Sequence, residues 1–209
     1  LWLLELKKLI SLKHPNTQEQ QQNFLFIPTY DIDIAYSYIG KNFIRQAGGA
    51  VKDLLRGNYD AFLKRQQVQR HRIIDPYDSY ALMDQLHDQY ALQPIYFFLA
   101  GENGKFDKNI PFESPVMQKL IQRIADRYRV GIHPSYGSHS RFSLLQQEVS
   151  KIPTGLSRQH YIRFTLPHTF RELISAGIKA DYSMGYGSIN GFRASTSFSF
   201  LWFDVEKDQ

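Results

Sequence analysis

Two carboxylates one residue apart, Asp31 and Asp33, close the apolar run Phe24-Leu25-Phe26-Ile27-Pro28-Thr29-Tyr30. Read as a buried strand over 24–30, the run delivers both to its carboxyl end, where ligands collect in α/β proteins. Strand alternation then puts the two side chains on one face. Like charges that close repel, so a cation, a shared proton or an arginine must offset them. Candidate partners lie downstream, in Gly131-Ile132-His133-Pro134-Ser135 and Ser157-Arg158-Gln159-His160-Tyr161. Both segments end strand-like or loop stretches, and both bring residue types that a hydrolytic metal uses. The pattern predicts a metal-dependent amidohydrolase-type site. Its rival is structural: one aspartate caps the following helix while the other pairs with a lysine or arginine.

The remaining candidates are weighed in the same way. Pro134-Ser135 fixes the exit of the strand that carries His133, which favours a ligand role. Arg158 and His160 are two apart, so on an extended segment they face the same way; the alternative is a buried salt bridge to Asp31 or Asp181. His139 sits in a polar Gly/Ser-rich loop, and His71, His87 and His168 fall in helical or turn contexts; all four read as surface residues. Tyr36, Tyr38, Tyr136, Tyr161, Tyr182 and Tyr186 follow predicted strands, giving a tyrosine-lined mouth suited to stacking on sugar rings.

Elements must position these groups. Residues 1–12 read as an amphipathic helix and 14–22, with its glutamine run, as a linker. Residues 43–70 are helical in character, interrupted at Gly48-Gly49 and at Gly57-Asn58, and a further helix runs from about Ser79 through His87. Ile95 to Gly101 is the clearest buried strand. A helix over 117–128 leads into a strand at 130–132, and another helix spans about 142–151. Thr169-Phe170-Arg171-Glu172 is a capping-box pattern, Gly177 a helix-terminating residue, and a strand begins at Ile178. Phe192 to Phe203 reads as one more strand. This β–α alternation predicts a mainly parallel sheet, open or closed.

Composition bounds the rest. A chain of 209 residues with 43% hydrophobic and 22% charged residues can bury a substantial core in one domain. The absence of cysteine excludes disulfides, zinc–thiolate sites and thiol nucleophiles. The first ten residues are too short and too charged to span a membrane, and they lack a signal-peptide pattern, so a cytoplasmic location is favoured. With no initiating Met, the chain is expected to be cut from something longer. The net charge of +5 is local, since residues 41–72 carry eight Lys/Arg against Asp53 and Asp60, leaving the remainder near −1. Nucleic-acid binding by the whole protein is therefore disfavoured. The basic segment reads as a solvated face, or as a peripheral contact for an anionic polymer or membrane surface.

In the order of these pieces the chain resembles the polysaccharide deacetylase (NodB-homology, carbohydrate esterase 4) superfamily, over about residues 24–203. Thr29-Tyr30-Asp31-Ile32-Asp33 is similar to its Thr-Phe-Asp-Asp motif with one residue inserted. Tyr96 to Gly101 resembles its aromatic strand ending in Gly, and Ile121 through His133 its helix leading to Gly-x-His. Arg158-Gln159-His160-Tyr161 resembles its Arg-x-Pro-aromatic motif, and Gly177 to Ser183 its Gly-aromatic…Asp segment.

The resemblance implies an irregular (β/α) barrel, incomplete at the C-terminus, formed by 23–209 with a basic helical insertion at about 41–90. It implies hydrolysis of N- or O-acetyl groups on a carbohydrate, with Asp31 as base, Arg158 orienting it, and Asp33 and His133 binding a divalent metal of zinc type. Asp181 and Tyr182, with Tyr136 and Tyr161, would meet substrate. Two departures stand out. The position four after His133 is Gly137, where the family has its second histidine, and no Leu-x-His follows the Gly177 to Ser183 segment to stand as the family's last motif, its general acid. His160 is the preferred substitute ligand, because a catalytic zinc site normally uses three protein ligands and Arg158 carries the imidazole toward the same pocket; His139 is second. The altered motif also admits a catalytically degenerate, carbohydrate-binding or scaffolding member, and the basic segment a phosphate-handling or anion-binding one.

Overall fold

The computed structural model describes residues 2–15 and 24–209, so the expected linker over 14–22 lies almost wholly outside the described residues. Five strands, β1 (Thr29–Ile32), β2 (Ile95–Leu99), β3 (Arg129–His133), β4 (Leu156–Ser157) and β5 (Ala180–Asp181), form one parallel sheet in sequence order. Around it lie seven α-helices among the described residues: α1 (Trp2–Lys13), α2 (Phe43–Leu55), α3 (Tyr59–Gln69), α4 (Tyr80–Gln89), α5 (Pro115–Ala125), α6 (Phe142–Val149) and α7 (His168–Ser175). None of the described helices is long and apolar enough to cross a membrane.

The strand order follows from how the crossovers are made. Parallel neighbours need crossover connections, which are right-handed; repeated in one direction, they stack α4, α5, α6 and α7 on the same face. That face is the core. Tyr80 of α4, Met117, Leu120 and Ile124 of α5, Leu145 and Val149 of α6, and Phe170 and Leu173 of α7 join Ile32, Tyr96, Phe98, Val130 and Ile132 in one buried cluster. α5 shows the local logic: Ser114 accepts a hydrogen bond from the Met117 amide and Pro115 opens the helix. Its buried residues then recur at helical spacing, 117, 120 and 124, toward the sheet.

Alternation leaves Asp31, Phe97 and Gly131 in register on the opposite face, with Leu99 level with His133. Gly131 is obligatory there, since a Cβ would lie 2.6 Å from the Phe97 ring and 2.9 Å from the Leu156 carbonyl. Arg158, just past β4, crosses this face to Thr29 and Asp31 with its guanidinium 4.9 Å from the centre of the Phe97 ring. On a flat sheet β4 and β1 would be roughly 14 Å apart, beyond the reach of one arginine, so the sheet is curled toward this side. It is not closed among the described residues: β1 and β5 are its edges.

Several local expectations are corrected. Phe24, Leu25 and Phe26 are exposed at 93, 75 and 62% and precede the strand, which starts only at Thr29, where pairing with Ile95 begins. α2 runs unbroken through Gly48-Gly49, whereas the break at Gly57-Asn58 is present, with the Asn58 side chain capping α3. Residues 192–203 form bends and turns instead of a strand, because they find no pairing partner, although Trp202 packs on Phe170. The capping-box pattern lies inside α7, which already starts at His168; the Thr169 hydroxyl accepts from the Thr165 amide instead. Gly177 does follow the helix end, at φ +90°.

Candidate metal centre

Each side chain at the carboxyl edge of the curled face is set by backbone that the fold already fixes. β1 ends at Ile32, so Asp33 projects just beyond the strand, level with the end of β3 and His133. The β3 exit passes close over the β2 exit: a Cβ on Gly101 would sit 2.4 Å from the Ser135 Cβ, so only glycine admits the crossing. Ser135 is then held by its amide, which donates to the buried Glu148 at 2.8 Å. His160 opens a tight turn, His160–Ile162, in which Tyr161 and Ile162 have left-handed backbones at φ +57° and +47°, and so reaches the same mouth by a turn, not by the extended segment expected.

The result is a compact group: ligand atoms of Asp33, His133 and His160 all lie within 4.8 Å of one another. Both imidazoles turn Nε2 toward Asp33 Oδ1, at 3.2 Å for His133 and 3.6 Å for His160. Their other nitrogens are committed. His133 Nδ1 donates to the carbonyl oxygen of Arg158 at 2.6 Å, and His160 Nδ1 donates to the Asp107 carboxylate at 2.9 Å. A carbonyl or an ionised carboxylate can only accept, so each Nδ1 carries the hydrogen, and in the neutral tautomer each Nε2 presents a lone pair. Two lone pairs and a carboxylate therefore face one point, an arrangement that needs a proton or a cation at its centre. Acceptors held on the far nitrogen are the usual support of metal-ligating histidines.

Electrostatics agree with the geometry. With a proton at that centre in place of a cation, the imidazoles donate instead: burial alone would raise the Asp33 pKa, but the hydrogen bond from His133 and the charges of protonated His133 and His160 outweigh it and hold the carboxyl below its ordinary value. The imidazoles are buried while the Asp33 side chain is half exposed, which leaves the point they share open to solvent. Two nitrogens and one oxygen with an open side could hold a metal ion.

Arg158 ties this group to Asp31. Its Nη1 donates to Asp31 at 3.1 Å, Nη2 to the Thr29 hydroxyl at 2.6 Å and Nε to the Tyr182 carbonyl at 3.1 Å, while its own carbonyl holds His133. One residue thus positions a candidate base through its side chain and a candidate ligand through its backbone.

Asp181 is not among the converging groups. It accepts from the Ser157 hydroxyl and from the amide and hydroxyl of Ser183, and the Ser183 oxygen accepts the Gln159 amide. Burial raises its pKa, and it acts as a brace beneath the 157–160 segment. Tyr182 packs on Phe97 with ring centres 5.3 Å apart. Tyr136 and Tyr161 do lie beside the site: Phe106 stacks on Tyr136 at 4.0 Å and meets Tyr161 edge-on at 6.2 Å, and Tyr161 lies 4.5 Å from the His160 ring.

Sequence reasoning missed Asp107 and Phe106, both in the loop 104–115. Asp107 is buried and also accepts the Tyr136 amide at 2.9 Å, so it orders the aromatic wall as well as His160. The signal that could have found it is the rule that a ligand histidine needs an acceptor on its second nitrogen. His87, expected at the surface, is buried; its Nε2 pairs with the Tyr30 hydroxyl at 2.9 Å within a cluster with Tyr96 and Tyr128, and burial lowers its pKa. His139 is half-buried, 3.4 Å from the Thr165 hydroxyl, whereas His71 and His168 are exposed. Searches of family models, curated proteins and solved structures returned no significant match, so the resemblance noted above rests on the motifs alone.

Proposed function

We propose that this chain is a metal-dependent hydrolase that removes N- or O-acetyl groups from a carbohydrate, on a scaffold of the polysaccharide deacetylase type. The observation that carries the reading is the pair of imidazoles, each locked through Nδ1, whose Nε2 atoms meet the Asp33 carboxylate. Asp33, His133 and His160 would hold a divalent ion, zinc by its ligand set, which supplies Lewis-acid polarisation of an acyl carbonyl and acidifies a water in its open position.

The chain's own residues do the remaining work. Asp31 accepts the proton of the attacking water. Arg158 keeps that carboxylate oriented through charge-assisted hydrogen bonding, which is stronger and more directional than a neutral contact. Phe106, Tyr136 and Tyr161 offer ring faces and edges on which a sugar could stack beside the carbonyl. A second reading, a degenerate carbohydrate-binding member of the same fold, is favoured by the lack of a counterpart to the family's Leu-x-His general acid.

The test combines metal content with acetate release from acetylated chito- or xylo-oligosaccharides. The purified protein is expected to carry about one zinc per chain, falling below about a tenth in Asp33→Ala and in His133→Ala, as loss of one of three ligands requires. Asp31→Asn should keep its metal and lose acetate release. Zinc without acetate release in the unmodified protein leaves the degenerate reading. Metal content that is the same in both ligand variants as in the parent removes the ligand assignment.

A further inference from the structure

α2 is the least accounted-for element of the fold. None of its residues is buried, yet it is strongly two-faced. At about 3.6 residues per turn, Phe43, Ile44, Val51, Leu54 and Leu55 fall on one side, and they are exposed at 84, 80, 54, 42 and 83%. Arg45, Lys52 and Arg56 flank that side. Next to them α2 and α3 border a shallow, open pocket of ≈ 450 Å³, lined by Lys41, Arg45, Lys52, Asp53, Arg56 and Arg65 around Gly48 and Gly49. Its one carboxylate, Asp53, is already taken by Arg65 at 2.8 Å.

The pocket has the marks of a built site. Arg65 is buried against Gly49, where a Cβ would lie 2.6 Å from the guanidinium, and its guanidinium lies 4.8 Å from the centre of the Tyr38 ring. Gly48 faces empty space, although a glycine inside a helix costs stability. Burial and the Arg45 and Arg65 cations push the Lys41 ammonium below its ordinary pKa. Cations are crowded here without enough anions within the chain.

We propose that α2 seats the protein on an anionic lipid bilayer, its apolar face entering the acyl boundary and the Lys41–Arg45–Lys52–Arg56–Arg65 pocket taking a lipid phosphate. Charge complementarity selects this occupant. An apolar stripe bordered by basic residues is the composition of an interfacial helix, and each Lys/Arg at an anionic surface adds attraction. A soluble protein partner would need acidic groups and an apolar groove at once, whereas a phospholipid brings both chemistries in one molecule. The Arg45 guanidinium also donates to the Asn109 carbonyl at 3.2 Å, which ties the docked helix to the loop that carries Asp107.

The experiment is co-sedimentation of the full chain with phosphatidylcholine vesicles, with and without about one-third phosphatidylglycerol, over a salt series. Binding is expected only to the anionic vesicles and should weaken as salt shortens the Debye length. Lys52→Glu/Arg56→Glu should lose at least about tenfold in partitioning, and Ile44→Ser/Leu55→Ser a comparable amount. Circular dichroism verifies folding in each; if the charge reversals do not fold, Lys52→Gln/Arg56→Gln replaces them. Equal binding to neutral and anionic vesicles, no binding to either, or unchanged binding of the charge variant overturns the proposal. So does binding that survives the Ser substitutions while inorganic phosphate competes it away, which means a soluble anion fills the pocket. A dimer of the free protein that Ile44→Ser/Leu55→Ser abolishes assigns the face to a second copy, and also overturns it.

Discussion

The candidate metal centre and the α2–α3 segment, the insertion that the family resemblance implies, are both electrostatically unbalanced, in opposite senses and by different means. At the carboxyl edge of the sheet, two imidazole Nε2 atoms and a carboxylate face one point, and their supporting bonds run to Arg158 and Asp107 within the core. In the insertion, five cations surround one committed carboxylate beside an apolar face that nothing among the described residues covers. The first site is preorganised: its side chains are held where a cation would use them, and the ordering cost is met in folding. The second is a surface around the fixed Arg65, where exposed long side chains such as Lys52 and Arg56 keep most of their freedom until a partner arrives. The first therefore calls for a small ion of fixed coordination, and the second for an extended anionic, amphipathic partner.

The sharpest way to break this contrast is to loosen the preorganised site without removing a ligand. Asp107→Asn keeps the shape and still accepts from the Tyr136 amide, but replaces a carboxylate behind His160 by a neutral amide. Weakening such a supporting partner, here by removing its charge while its Oδ1 can still accept, typically costs about 10–100-fold in metal affinity. Competition with a chromophoric zinc chelator should show that loss with the circular dichroism spectrum unchanged. An affinity equal to the parent's would mean that His160 is not preorganised by Asp107, and the contrast with the insertion would fail there.

Opposite imbalances also predict opposite pH limbs in metal-free protein. Asp33 has a folded-state pKa below its unfolded one, so its stabilisation is fully present above the unfolded value of about 3.8 and is lost as pH falls through the lowered folded value. Asp33→Asn should flatten the acid limb of urea stability. Lys41 also has a lowered pKa, but its charged form is the disfavoured one. Its penalty is present at neutral pH and is relieved as pH rises through the lowered folded value toward the unfolded value of about 10.5. Stability should therefore rise as pH climbs from neutral toward about 10.5, relative to a Lys41→Met control. Parallel limbs in that pair would show that the crowding around Lys41 is screened by solvent.

The two regions were also unequally legible in the sequence. β2 and β3 were readable because their apolar runs are buried on both faces, Ile95 to Leu99 completely. Asp33, His133 and His160 were readable because strand ends and a two-residue offset constrain where side chains go. Asp107 was not, since a carboxylate in a polar loop is indistinguishable from solvated neighbours until the loop folds onto His160. Phe24–Phe26 and Phe192–Phe203 misled for one common reason: a β pattern records a capacity to pair, and neither segment has a strand beside it. Asp181 misled differently, because its chain position was right and its partners, Ser157 and Ser183, lie beneath the segment that carries Arg158.

The smallest effect tests whether the insertion's pocket is designed or incidental, using two adjacent glycines with opposite surroundings. Both lie inside α2, where replacing glycine by alanine gains about 0.5–1 kcal/mol if nothing else changes. At Gly48 nothing lies within 4 Å of the added Cβ, so Gly48→Ala should show that gain in urea denaturation. At Gly49 the Cβ would lie 2.6–2.7 Å from three atoms of the Arg65 guanidinium. That group has little room to yield, because it is buried, paired with Asp53 and 3.4 Å from the Gln46 side-chain oxygen. Displacing it leaves a hydrogen bond to a charged group unmade, worth about 1.5–3 kcal/mol, which exceeds the helix gain, so Gly49→Ala should destabilise. Equal stabilisation at both positions would mean that Arg65 is not held against α2 and that the pocket has no fixed floor. Opposite signs would leave Gly48 as a glycine that the chain's own packing does not require, on the wall where a phosphate would have to fit.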